Sequence, residues 1–187
     1  MGNWRPITLT NTDYKIFSKL LALRIQKVIA TIVHSSQKGY VKGRSISDTI
    51  RIIDDFINIS NKTKTPGLLV SIDFQKAFDS IEKPAIISTL KKFGFGDTFV
   101  SYISVLLKNT LGCVRNGGWH SSWFETQRGV KQGCPLSPYL FVLVAELMSI
   151  KIRSNPQLKK SNTQPFGNRE LADIVNILLY EMTQHFF

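Results

Sequence analysis

Apolar and polar positions recur along this chain with two periods, and the period limits which element each stretch can form. Residues 12–33 place Ile16, Leu20 and Leu23 on one stripe, with Ile25, Val28, Ile29 and Ile32 beside it. Side chains three and four apart share a helix face, so this spacing predicts a helix. Residues 47–60 repeat it, with Ile50, Ile53 and Ile57 on one face and Ile52, Phe56 and Ile59 on the next. The run Leu68-Leu69-Val70-Ser71-Ile72 is short and continuously apolar but for one Ser; Pro66-Gly67 opens it and Asp73 ends it, which predicts a buried strand. Pro84 suits the first turn of a helix running to about Phe93, and a second helix over about 97–108 aligns Phe99, Ile103 and Leu106. Residues 110–126 alternate and carry Asn116-Gly117, the signal for a hairpin. Ser137-Pro138 then opens a helix to about Arg153, with Phe141, Val144, Leu147 and Met148 apolar. Residues 40–44 read as a short extended piece and 155–169 as a polar, breaker-rich linker, while 171–182 are apolar in a pattern that fits strand or helix. Helix-rich regions around one buried strand and one hairpin predict an α+β fold rather than a regular βαβ alternation.

Composition narrows the class. A chain of 187 residues has room for one ordinary domain, or one and a fragment of another, and 43% hydrophobic residues can bury a core. No apolar run reaches the roughly 18 residues a spanning helix needs, so no membrane segment is expected. The N-terminus lacks an apolar signal core, and Pro6 stands where myristoylation would need Ser or Thr. Cys113 and Cys134 show no metal-ligand spacing and the three His are scattered, which argues against zinc and fits a reducing, intracellular compartment, cytoplasm or nucleus. The net charge of +11 is concentrated early, nine Lys and Arg in residues 1–51 against Asp13 and Asp48. Such an imbalance favours a polyanionic partner, nucleic acid first and an anionic membrane second, against the plainer reading of a solvated basic surface.

Four segments carry candidate chemistry. Asp73, at the end of the expected strand, is either a hard oxygen ligand on a rigid rim, suited to a divalent cation, or the N-cap of the next helix. Arg5 opens a compact element in Asn3-Trp4-Arg5-Pro6-Ile7. Lys38, Lys42 and Arg44 sit on Gly-hinged turns, where backbone can approach phosphates closely. Residues 128–138, Arg-Gly-Val-Lys-Gln-Gly-Cys-Pro-Leu-Ser-Pro, form a Gly-punctuated loop feeding a helix N-terminus, which favours a nearby anion or base. Cations, a metal-binding carboxylate and such a loop are what nucleotidyl transfer needs.

In this order and at these spacings, the segments from Asn3 to Arg153 resemble the reverse transcriptase domain of non-LTR (LINE-type) retrotransposons. The matching pieces are Asn3 to Leu9, Gln37 to Arg44, Ser71 to Ser80, Lys91 to Gly96, the hairpin Asn116 to Trp119, and Arg128 to Pro138 with the helix after it. The resemblance implies a right-hand polymerase fragment, fingers at about 1–66 and 82–120 and palm at about 67–81 and 121–187. It would use two Mg²⁺ ions, an RNA template, a DNA primer and dNTPs. It makes Asp73 the first palm aspartate, Phe78 the aromatic gate beneath the incoming sugar, Arg5 a triphosphate contact, and Gln132 a residue near nucleotide and template. Read without the resemblance, Phe78 is core, Asp79 a cap or hydrogen-bond acceptor, Trp119 and Trp123 hairpin packing rather than base-stacking platforms, and Cys134 a small loop residue.

The family's second palm motif is aromatic-Ala-Asp-Asp after an approach like Gly-x-x-Glu. Here Gly167-Asn168-Arg169-Glu170 runs straight into Leu171-Ala172-Asp173-Ile174. This reads as a damaged copy, with Asp173 the surviving metal ligand and catalytic partner of Asp73, Ile174 in place of the second carboxylate, and a shortened approach. The competing reading is unrelated sequence with a chance Ala-Asp. The resemblance further implies that thumb and remaining palm strands are missing from this chain, which is then expected to be weakly active or inactive. The rival of another class is a non-catalytic nucleic-acid-binding remnant. A third, an unrelated basic ribonucleoprotein module, does not account for the ordered motifs.

Overall fold

The computed structural model describes residues 7–64 and 68–156. Arg5, Asp173 and the segment 171–182 lie outside the described residues. The chain divides into two compact units, residues 1–27 with 75–144 and residues 28–74 with 145–187. Its described elements are helices and small antiparallel ladders, a mixed architecture in keeping with the expected class.

The helices form where the spacing places them. α1 spans Thr12–Ile32, α2 Ile46–Thr63, α4 Lys83–Lys92, α5 Asp97–Leu107 and α6 Ser137–Arg153; one further short helix, α3, covers Ala77–Ser80. In the first unit α1 buries Leu21, Ala22 and Ile25, α4 buries Ile86 and Leu90, and α5 buries Val100, Ile103 and Leu107. These are i, i+3, i+4 and i+7 positions, each set on one face. Phe17 of α1 meets Tyr102 of α5 edge to face at 5.7 Å. α4 ends in a Schellman motif: Gly94, at φ +77°, donates to the carbonyl of Lys91, and Phe95 donates to that of Leu90.

The buried stripe of α1 is not the first one its sequence marks. Ile16, Leu20 and Leu23 are exposed, and the buried face runs through Ser18, Leu21, Ala22, Ile25 and Ile29. α1 is apolar over so much of its circumference that periodicity alone does not choose the face. α2 buries only Thr49 and leaves both isoleucine faces at least partly open.

The hairpin spans two short ladders: β1 (Leu111–Gly112) pairs with β4 (Phe124–Glu125), and β2 (Arg115–Asn116) with β3 (Trp119–His120), all antiparallel. Asn116 pairs with Trp119, so the turn is Gly117-Gly118 and not Asn116-Gly117. Both glycines have positive φ, +54° and +89°, the combination a two-residue type I′ turn requires and glycine adopts without strain. Trp119 and Trp123, expected to pack in the hairpin, are 82% and 70% exposed.

Two expectations fail in the second unit. Residues 68–73 are irregular and exposed, with no strand, because no neighbouring strand is present among the described residues to take up their backbone bonds. Residues 40–44 are turns rather than an extended piece, with Tyr40 at φ +58°. Within α6, Glu146 is buried and accepts a charge-assisted hydrogen bond from Arg153; such a pair offsets the large desolvation cost of burying a lone carboxylate.

Candidate functional site

The centre of the first unit is the seating of residues 128–138 on α3. Glu82 and Arg128 form an isolated antiparallel bridge. From there Gly129 N–H donates to the Ile81 carbonyl at 2.7 Å and Val130 N–H to the Phe78 carbonyl at 2.8 Å. Gly129 has φ +83°, and a Cβ placed on it would lie 2.8 Å from Asp79 Cα and 2.9 Å from the Phe78 carbonyl oxygen. No real Cβ tolerates that approach, so the loop lies this close only because residue 129 has no side chain.

Beyond Gly129 the side chains alternate in direction. Val130 is buried. Lys131 turns toward α1, its Nζ 4.0 Å from the centre of the Tyr14 ring, a cation–π contact. Gln132 turns toward α3 and donates from Nε2 to both carboxylate oxygens of Asp79, at 3.2 and 3.1 Å. A bidentate arrangement of this kind holds the amide plane and sets which face Gln132 presents. The Thr8 N–H donates to the Gln132 carbonyl at 3.3 Å. Ser137 Oγ donates to the Lys131 carbonyl at 2.8 Å, closing the loop against the start of α6.

Phe78 is buried and tilts against Phe141 of α6, ring centres 5.4 Å apart. Phe78, Asp79 and Gln132 thus occupy one small region. Burial holds the Lys131 ammonium below its ordinary pKa, with Lys83 adding to the depression and Cys134 opposing it. Burial, then neighbouring Cys134, raises the Tyr14 hydroxyl well above its ordinary value. Beside the loop, Gly133 and Pro135 face Lys15, Ile16, Lys19 and Leu20 of α1 across an open apolar groove of about 470 Å³. Sequence reasoning missed Tyr14 and the division of labour between Lys131 and Gln132; both depend on α1 meeting a loop more than a hundred residues later, and the sequence carries no local signal for it.

In the second unit Asp73 is exposed in irregular chain. Among the described residues, no three His, Cys, Asp or Glu side chains converge where they could hold a metal ion. The three candidate phosphate contacts differ. Lys42 is exposed. Lys38 is mostly buried and pairs with Asp48 at 3.3 Å. Arg44 spends its guanidinium on the chain itself: Nη1 donates to the carbonyls of His34 and Gln37 at 2.6 and 2.8 Å, and Nη2 to those of Ala30 and Val33 at 2.8 and 3.4 Å. α1 has no basic residue in its last turn, so Arg44 brings a donor and positive charge to the Ala30 carbonyl of that turn and ties it to the carbonyls of the chain just beyond the helix.

No helix among the described residues is long and apolar enough to cross a membrane. The chain is 36% identical over 144 residues to the 149 kDa protein of transposon TX1 from Xenopus laevis, covering 77% of this chain and 11% of that protein. It is 30% identical over 156 residues to a Pol polyprotein of the type-1 retrotransposable element R2 from Popillia japonica, covering 83% of this chain and 22% of that protein. It is also 30% identical over 160 residues to the corresponding R2DM polyprotein of Drosophila melanogaster, covering 86% of this chain and 15% of that protein. The chain therefore spans between about a tenth and a fifth of the length of these relatives. Residues 1–167 match the reverse transcriptase (RNA-dependent DNA polymerase) family, and the chain belongs to it.

Proposed function

We propose that this chain is the nucleotide- and template-binding part of an RNA-directed DNA polymerase from a non-LTR retrotransposon, with fingers at about 1–66 and 82–120 and palm at about 67–81 and 121–187. Members of the family bind a nucleic-acid template, a primer and nucleotides, and generally use divalent metal ions. The observation that carries the reading is the seating of the 128–138 loop on α3, which joins Phe78, Asp79 and Gln132 across more than fifty residues of sequence. Phe78, backed by Phe141, would offer a firm ring edge beneath a deoxyribose and leave no room for a 2′-hydroxyl. Gln132, its amide held by Asp79, would meet the nascent base pair with one face. Arg5 would contact the triphosphate of a dNTP. Mg²⁺ would be held by Asp73 and Asp173; the described residues contain only the first of these and do not compose that metal site by themselves.

The chain as written is proposed to be weakly active or inactive, because Ile174 stands where the family has a carboxylate and the approach to Asp173 is short. One lost preorganised charge typically costs about 10²–10³ in rate. The test is dNTP incorporation on a primed RNA template with Mg²⁺, for the parent chain, Asp73→Ala and Ile174→Asp, alongside binding of the same template. Template binding with little incorporation by any of the three is expected, since Ile174→Asp repairs the charge and not the approach. Robust incorporation by the parent, abolished by Asp73→Ala, would overturn the impaired reading. Absence of template binding would overturn the function itself.

A further inference from the structure

We infer that the exposed face of α1 beside the 128–138 loop is a docking groove for an acidic amphipathic helix of a partner protein. α1 buries the face that runs through Ser18, Leu21, Ala22 and Ile25 and leaves the opposite one in water. That open face carries Ile16, Leu20 and Leu23, 59%, 54% and 42% exposed, at the i, i+4, i+7 spacing of a stripe that packs on another helix. A second wall turns the stripe into a groove. Gly133 and Pro135 stand across from Ile16 and Leu20 and bound about 470 Å³, within the roughly 300–1,000 Å³ of ordinary binding clefts. Gly133 keeps that wall low, and a Cβ there would meet only the Thr8 carbonyl, at 3.7 Å. A contiguous aliphatic patch left in water and rimmed by charge marks an interaction surface.

The rim selects the partner. Lys15 and Lys19, one turn apart, line the groove, and both are exposed. Neither forms an ion pair among the described residues, where the pairs are Lys38–Asp48, Arg128–Glu82 and Arg153–Glu146. Arg24 and Lys27 continue the exposed positive charge along α1, whose one carboxylate is Asp13. An acidic amphipathic helix matches both parts of this surface: its apolar anchors fill the groove while carboxylates on its flanks meet the lysines. Nucleic acid matches it less well, because the groove is lined by Lys, Ile, Leu, Gly and Pro and holds no aromatic ring or guanidinium plane on which a base could stack. An anionic bilayer also matches it less well, because a flat surface cannot follow a concave wall. Neither template nor nucleotide takes part in this contact, so it stands apart from the proposed polymerase function.

The experiment follows the anisotropy of two labelled peptides of about 20 residues as the full chain is added. Both carry Leu at heptad positions a and d; one has Glu at e and g and the other Lys. The parent is compared with Ile16→Asn, Leu20→Asn and the double variant Lys15→Glu/Lys19→Glu. The parent is expected to bind the Glu peptide at least about tenfold more tightly than the Lys peptide. Each asparagine is expected to weaken Glu-peptide binding about tenfold, and the double reversal to exchange the order of the two peptides. Because all four side chains are exposed, the variants should keep the parent's far-ultraviolet circular dichroism. Failure of the Glu peptide to bind, equal affinity for the two peptides, or asparagine variants that bind as the parent does would each overturn the docking groove and leave the polymerase reading standing. Groove variants that leave Glu-peptide binding unchanged but weaken binding of a short single-stranded oligonucleotide, or of phosphatidylserine vesicles, would overturn it in favour of nucleic acid or a membrane.

Discussion

At Gly129 the absence of one methyl group decides whether the 128–138 loop can seat on α3. Gly129 and Gly133 share nearly the same positive φ, +83° and +88°, but a Cβ at Gly129 meets backbone at 2.8 Å, while at Gly133 its nearest neighbour is the Thr8 carbonyl at 3.7 Å. Both alanine variants carry the left-handed backbone penalty of about 1–2 kcal/mol; only Gly129→Ala adds a collision with backbone that cannot swing aside. Gly129→Ala should therefore cost at least about 2 kcal/mol more than Gly133→Ala in urea unfolding. Equal losses would show that the seat is softer than the geometry indicates. The motif's glycines were legible in the sequence as loop punctuation, but not which of them makes the close approach, since that depends on Asp79, fifty residues earlier.

Among the elements, α1 depends on a residue outside itself. Arg44 reaches four of the carbonyls at and beyond its C-terminus. Hydrogen bonds to a charged donor contribute about 1.5–3 kcal/mol each when removed singly, and they share one side chain here, so Arg44→Ala should lower stability by about 3 kcal/mol. Arg44→Lys should recover little, because one ammonium cannot span both carbonyl pairs. Thermal unfolding reads the loss. If Arg44→Ala instead left the melting temperature unchanged and lowered the salt slope of oligonucleotide binding by about 1, Arg44 would be the phosphate contact its Gly-flanked position suggested. The strand expected at 68–73 teaches the complementary lesson. Its apolar run was plain, but a strand's backbone bonds close on another segment, and the described residues contain none beside it. The hairpin formed because its partner is adjacent in sequence, and its register moved by one residue because Gly118 allows a turn with two positive φ angles.

For the whole molecule, the +11 charge predicts binding to nucleic acid that weakens steeply with salt. Lys42 is exposed and Lys38 is engaged with Asp48, so the two should not contribute equally. Lys42→Ala should reduce the slope of log affinity against log salt by about 1, and Lys38→Ala by less. The opposite order would mean that the Lys38–Asp48 pair opens on binding. What the sequence determined by itself was the five longer helices to within a few residues of their bounds, the hairpin and the ordered motifs of a reverse transcriptase, because each helix closes its hydrogen bonds within its own segment and each motif is a local string. Tertiary structure alone decided which stripe of α1 is buried, that Arg44 caps that helix, that Lys131 faces Tyr14 while Gln132 faces Asp79, and that the hairpin tryptophans remain in water. Each of these depends on a partner distant in sequence, and a local pattern of apolar and polar residues records that a side chain needs a partner without naming which one.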